Sequence, residues 1–94
     1  MEFKDLKFKK HNVEKCIHAT LEIKPKVFMS VVAGDRMYSD GKTGNRAAVS
    51  KVEDVSSFEV AIIDENLPEE EQQWDVVGWQ SREDINQLII DYSE

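Results

Sequence analysis

The most regular pattern in the chain lies at residues 16–23, CIHATLEI, where Ile17, Ala19, Leu21 and Ile23 alternate with Cys16, His18, Thr20 and Glu22. A period of two places each set on one face of an extended strand, one buried and one wet. Lys24, Pro25 and Lys26 interrupt it, because proline cannot donate to a ladder and holds its predecessor extended, so a turn is expected there. The apolar, β-rich run VFMSVVA at 27–33 predicts a central strand, with Met37 and Tyr38 as candidates to continue the pairing. SDGKTGN at 39–45 predicts a hairpin loop, since its Asp-Gly and Gly-Asn steps offer positive-φ positions. Residues 46–57 fit no single period: Val49, Val52 and Val55 recur every third position, but valine is a poor helix former.

SFEVAIID at 57–64 alternates again, with Phe58, Val60 and Ile62 on one face and Glu59, Ala61 and Ile63 on the other. ENLPEEEQQ at 65–73 predicts an exposed acidic loop, and WDVVGW at 74–79 a further strand. Strict alternation there sends Trp74, Val76 and Gly78 one way and Asp75, Val77 and Trp79 the other. At the other terminus, FKDLKFKK at 3–10 sets Phe3, Leu6 and Phe8 among lysines without a clean period. An edge strand or an arm is expected, and lysines on such an edge discourage pairing with other chains.

The helix signal is clearest at 81–94, SREDINQLIIDYSE. Ser81 is a natural N-cap, Asp84 stands three residues on as in a capping box, and Glu83 and Asp84 lie where the helix dipole favours anions. Ile85, Leu88, Ile89 and Tyr92 form an i, i+3, i+4, i+7 stripe for packing on a sheet, leaving Asp84, Asn86, Gln87 and Asp91 outside. Strands first and a helix last predict an α+β domain: a mostly antiparallel sheet of about 4–5 strands with one C-terminal helix across a face. Residues 1–94 are expected to form one domain, with 1–12 as a mobile arm or an edge strand.

Composition adds little until its distribution is considered. The net charge of −7 divides into ten Lys or Arg against six Asp or Glu up to Ala47, and two against thirteen from Ala48 onward. One side of the molecule is therefore expected to carry a negative field, which attracts basic protein surfaces and repels nucleic acid and acidic membranes. Direct nucleic-acid binding is not expected, the basic N-terminal segment being the counterweight. No run approaches the ~20 apolar residues of a membrane span and none resembles a signal peptide, so the expected compartment is the cytoplasm. A single cysteine, Cys16, suits a reducing one.

Candidate chemistry is sparse. Cys16 and His18 share a strand face, but a nucleophile pair needs an orienting group and structural zinc needs further ligands, with His11 the one other histidine. No metal site and no cofactor are expected. The glycines and basic residues of 34–46 match neither G-x-x-x-x-G-K-[ST] nor G-x-G-x-x-G. Arg36, Tyr38, Lys42 and Arg46 would have to converge on a pocket for that loop to hold a small ligand or nucleotide. Asp64, Glu65, Glu69, Glu70 and Glu71 lack the spacing of a calcium loop and are expected to be a solvated face or, with Asp84 and Asp91, a patch resembling the charge of nucleic acid.

FMSVVAGDRMYSD, then SFEVAIID, then DVVGWQSREDINQLIIDYS, together spanning residues 27–94, resemble a group of small proteins of uncharacterised function encoded by tailed bacteriophages. The matching positions are Ser30 to Val32, Tyr38 and Ser39, Phe58 to Ile63, and Asp75 to Trp79 with the helix behind them. The chain departs from that pattern in the length between Tyr38 and Phe58, in Trp79 where tyrosine is usual, and in the triple glutamate before Trp74. The resemblance implies a phage-encoded protein in the cytoplasm of an infected bacterium and carries no functional residues with it. The expected function is non-enzymatic: binding and modulating or inhibiting a host protein with a basic surface, a homo-oligomer being compatible with this. Trp79, beside the N-cap, is expected to wedge the strand against the helix, and Trp74, beside the glutamates, to meet the partner.

Overall fold

The computed structural model describes residues 1–10 and 15–94. His11 and Asn12, part of the expected arm and of the Cys–His reading, lie outside the described residues. Among the described residues the strands are β1 (Lys9–Lys10), β2 (Cys16–Lys24), β3 (Val27–Gly34), β4 (Asp40–Gly41), β5 (Gly44–Asn45), β6 (Val55–Asp64) and β7 (Asp75–Gln80). The helix α1 (Arg82–Ser93) closes the chain, and short 3-10 turns stand at Phe3–Asp5, Val52–Asp54 and Glu69–Glu71. Every pairing is antiparallel. This is the expected α+β arrangement, a sheet with one C-terminal helix on a face.

β1, β2, β3 and β6 lie side by side, and the outer edge of β6 is shared. Its first residues pair with β4, Val55 with Gly41 and Ser57 with Asp40, while Phe58 to Ile62 pair with β7. The period-two faces read from the sequence sort as expected. Ile17, Ala19, Ile23, Val27, Met29, Val31, Ala33, Phe58, Val60 and Ile62 are buried in one core with Ile85 and Ile89 of α1, and Leu88 and Tyr92 pack at its margin. Ser81 caps the helix as expected: its Oγ accepts the Asp84 N–H at 3.0 Å, and Asp84 Oδ2 accepts the Ser81 N–H at 2.9 Å.

The first ten residues are built into the fold. Leu6 is buried, the rings of Phe3 and Phe8 lie 5.1 and 5.6 Å from that of Phe58, and Phe3 donates its N–H to Asn86 Oδ1 at 2.6 Å. Asn86, expected on the outer side of the helix, therefore ties the N-terminal turn to α1. Arg82 completes this corner: its guanidinium lies 5.3 and 5.2 Å from the Phe3 and Phe58 rings and donates to the carbonyls of Val55 and Val52 at 2.8 and 2.9 Å.

Cys16, expected on the wet face, is buried. Gly34 stands opposite it, so close that a Cβ at Gly34 would fall 2.5 Å from the Cys16 Cα, and Val49 docks there by donating its N–H to the Lys15 carbonyl at 2.9 Å. Met37 and Tyr38 do not prolong β3. Gly34, at φ +137°, turns the chain, and the Met37 N–H bonds back to the Gly34 carbonyl at 3.1 Å. Buried Ser39 holds the turn by accepting the Gly34 N–H at 3.0 Å. In the β4–β5 hairpin the positive-φ positions are Gly44 and Arg46, not Gly41 of the Asp-Gly step.

Candidate functional site

Because α1 covers one face of the sheet, the opposite face carries the alternate positions of each strand. Cross-strand partners there run from His18 to Val32 to Glu59, from Thr20 to Ser30 to Ala61 to Val76, and from Glu22 to Phe28 to Ile63. This open face is polar on β2 and apolar toward β3, β6 and β7. A depression of about 470 Å³ lies in it, lined by Thr20, Phe28, Ser30, Ala61, Ile63, Glu65 and Trp74. Trp74 stands at 48% exposure just before β7, an apolar ring at the border of an apolar floor.

The acidic residues do not form one patch. Glu65, Glu69, Glu70 and Glu71 are exposed in the β6–β7 loop, and Asp64 at its start is half-buried. That loop is docked on the β2–β3 turn, with the Glu65 N–H on the Lys26 carbonyl at 2.7 Å and Asn66 Nδ2 on the Pro25 carbonyl at 3.1 Å. The turn that carries Lys24 and Lys26 is thus the neighbour of the acidic loop. Asp84 is at the far end of β7, its carboxylate committed to the helix cap. Asp91, one turn from the helix C-terminus, accepts from Gln87 Nε2 at 2.9 Å. The helix runs back toward the loop, since Lys24 Nζ donates to the Glu94 carbonyl at 3.0 Å. Trp74, Glu65 and Glu69 to Glu71 therefore share one end of the sheet, and Asp84 stands outside that group.

Trp79 is placed differently from the sequence expectation. The register of β6 with β7 slips between Phe58 and Val60, which inserts an extra residue in β7, and Trp79 takes φ +52°. A bulge of this kind re-aims its side chain. Instead of wedging against the helix, the indole stands 48% exposed with its ring centroid 5.3 Å from that of Tyr38. Its Nε1–H donates to Asn45 Oδ1 at 3.1 Å, and its backbone N–H to the Tyr38 carbonyl at 2.8 Å. Gly78 makes room for this: a Cβ there would meet the Tyr38 Cβ at 2.7 Å.

Of the four residues proposed for a small ligand, Tyr38 lies beside this indole, Arg46 lies over Tyr38, and Arg36 joins them through its backbone carbonyl. The Arg46 guanidinium lies 5.2 Å over the Tyr38 ring and donates to the Arg36 carbonyl at 3.0 Å. Lys42 turns away, lining a separate shallow depression with Gly41, Glu53, Asp54, Val55 and Ser56. Arg46 is thus spent on bracing its own loop. Arg36, Arg46 and Trp79 all have left-handed backbone, at φ 68, 58 and 52°. Each such residue costs about 1–2 kcal/mol, so neighbours must hold it in place. Asn45 and Trp79 were not legible as members of this cluster, because only the bulge brings them together.

Cys16 is buried, while half-buried His18 lies on the open face at the β1 edge with Lys7, Lys9, Ala19 and Thr20 around a shallow hollow. Among the described residues no group of three or more His, Cys, Asp or Glu is placed to hold a metal ion, and no helix is long and apolar enough to cross a membrane. No family model, curated protein or solved structure matches the chain.

Proposed function

We propose that this chain is a non-enzymatic accessory protein that binds another protein with a basic surface and modulates or inhibits it. The observation that carries this reading is Trp74: a half-exposed indole at the border of an apolar depression, beside a loop with exposed Glu65, Glu69, Glu70 and Glu71. An aromatic anchor on a dry floor with a charged rim is the usual anatomy of an interface hot spot. The sheet order supports an oriented approach. Lys9 and Lys10 stand on β1 at one side of the sheet, and the acidic loop leads into β7 at the other. A field polarised in this way steers a basic partner to the β7 side. In keeping with the resemblance to small tailed-phage proteins, the partner is a protein of the bacterial host.

The test is capture from bacterial lysate with the tagged chain at low and high salt, beside two variants, Trp74→Ala and the triple change Glu69→Gln, Glu70→Gln, Glu71→Gln. A specific partner held at low salt, lost near 0.5 M salt and lost from both variants is expected. A partner retained equally by wild type and both variants would contradict the reading.

A further inference from the structure

Of the outer strands of the sheet, β1, β5 and β7, the first and last are built differently. β1, on one side, is two residues long and both are lysines, a guarded edge. β7, on the other, is six residues long, DVVGWQ, with neither lysine nor proline. Its apolar side chains are exposed on both faces: Val76, opposite Ala61 on the open face, at 53%, and Val77, opposite Val60, at 41%. Among the described residues β7 pairs with β6 alone; at the bulge the Trp79 N–H is taken by the Tyr38 carbonyl and the Gly78 carbonyl accepts from Gln80 Nε2 at 3.0 Å, which leaves Asp75 to Val77 as the clear stretch.

An antiparallel strand presents alternate backbone N–H and C=O groups to its outer side, so a free edge is a template for an added strand. A second copy of this chain is a poor occupant. Antiparallel pairing of β7 with itself would set Asp75 and the Glu69 to Glu71 loop of one copy against Glu83 and Asp84 of the other, in molecules of net charge −7. A strand with basic residues meets opposite charge at both of its ends.

We propose that the β7 edge from Asp75 to Val77 is a strand-addition site for an extended, basic segment of a partner protein. Its alternate apolar side chains lie beside Val76 and Trp74 on the open face, and its lysines or arginines reach the acidic residues at the two ends of β7. This rests on the protein-binding reading above and names the kind of segment bound.

The experiment uses the intact chain and a synthetic eight-residue peptide alternating valine with lysine, followed by amide exchange resolved by residue. Exchange at 75–77 is expected to slow at least tenfold on peptide binding, and the same peptide N-methylated at alternate residues to bind at least tenfold more weakly. Binding that changes Trp74 emission but leaves exchange at 75–77 unaltered overturns strand addition while leaving the Trp74 surface as the contact. Absence of any response at millimolar peptide also overturns it, as does slowing at 75–77 that appears with protein concentration alone, because a second copy then takes the edge. The protein-binding reading itself falls only with the salt-dependent capture, so the two failures are distinguishable.

Discussion

At the scale of single residues, the two tryptophans are equally exposed and differ in what they touch. Trp79 has a ring partner, a side-chain hydrogen bond and a backbone bond to Tyr38, all on its own chain. Trp79→Ala is therefore expected to cost about 1–2 kcal/mol in urea unfolding, from one aromatic pair and one hydrogen bond. That is less than the ~3–5 kcal/mol of a fully buried aromatic. Trp74→Ala is expected to cost about 1 kcal/mol or less and to lower partner affinity at least tenfold. Arg82 is the more consequential residue for folding. Its two carbonyl bonds and two ring contacts make Arg82→Ala worth about 3 kcal/mol, and Arg82→Lys, without the planar fork, most of that loss. Nothing in the sequence marked Arg82 for this part, because its partners come from two distant segments. Lys26 offers the opposite case. It sits at φ +66° after Pro25, a turn position that suits glycine, so Lys26→Gly is expected to leave the chain as stable or up to about 1 kcal/mol more stable.

At the scale of elements, what was legible was what local pattern decides. Alternation at 16–23 and 57–64 gave β2 and β6 their faces, because a register error there would turn Ile17 and Phe58 to solvent. The capping box at Ser81 and Asp84 placed the start of α1, and Ser81→Ala is expected to lower stability by about 1 kcal/mol. What was not legible depends on contacts between elements. The bulge at Trp79 arises where β7 must clear Tyr38, and the burial of Cys16 where Val49 and Gly34 meet it. Neither leaves a periodic trace. The bulge predicts its own signature: Gly78→Ala forces a Cβ against Tyr38, and it is expected to destabilise by about 1–3 kcal/mol and to weaken the Tyr38–Trp79 ring contact, which a loss of near-ultraviolet circular dichroism would report.

At the scale of the molecule, the uneven charge of the sequence is partly evened and partly kept. The β6–β7 loop is docked on the backbone of the β2–β3 turn that carries Lys24 and Lys26, while Lys9 and Lys10 stay at the opposite side of the sheet. Of the helix carboxylates expected to extend the acidic loop, Asp84 is at the far end of β7 and committed to its cap, while the helix runs back toward the loop with Asp91 near its end. The proposed partner surface is accordingly smaller and more defined than charge alone suggested: an indole, an apolar floor and the β7 edge, with acidic groups at each end. The most direct test follows the emission of each tryptophan separately as captured partner is added. The Trp79→Phe variant, reporting Trp74 alone, is expected to shift to the blue as the indole leaves water, and the Trp74→Phe variant to stay unchanged. A shift confined to the variant that retains Trp79 would contradict the account and move the binding surface to the Tyr38 cluster.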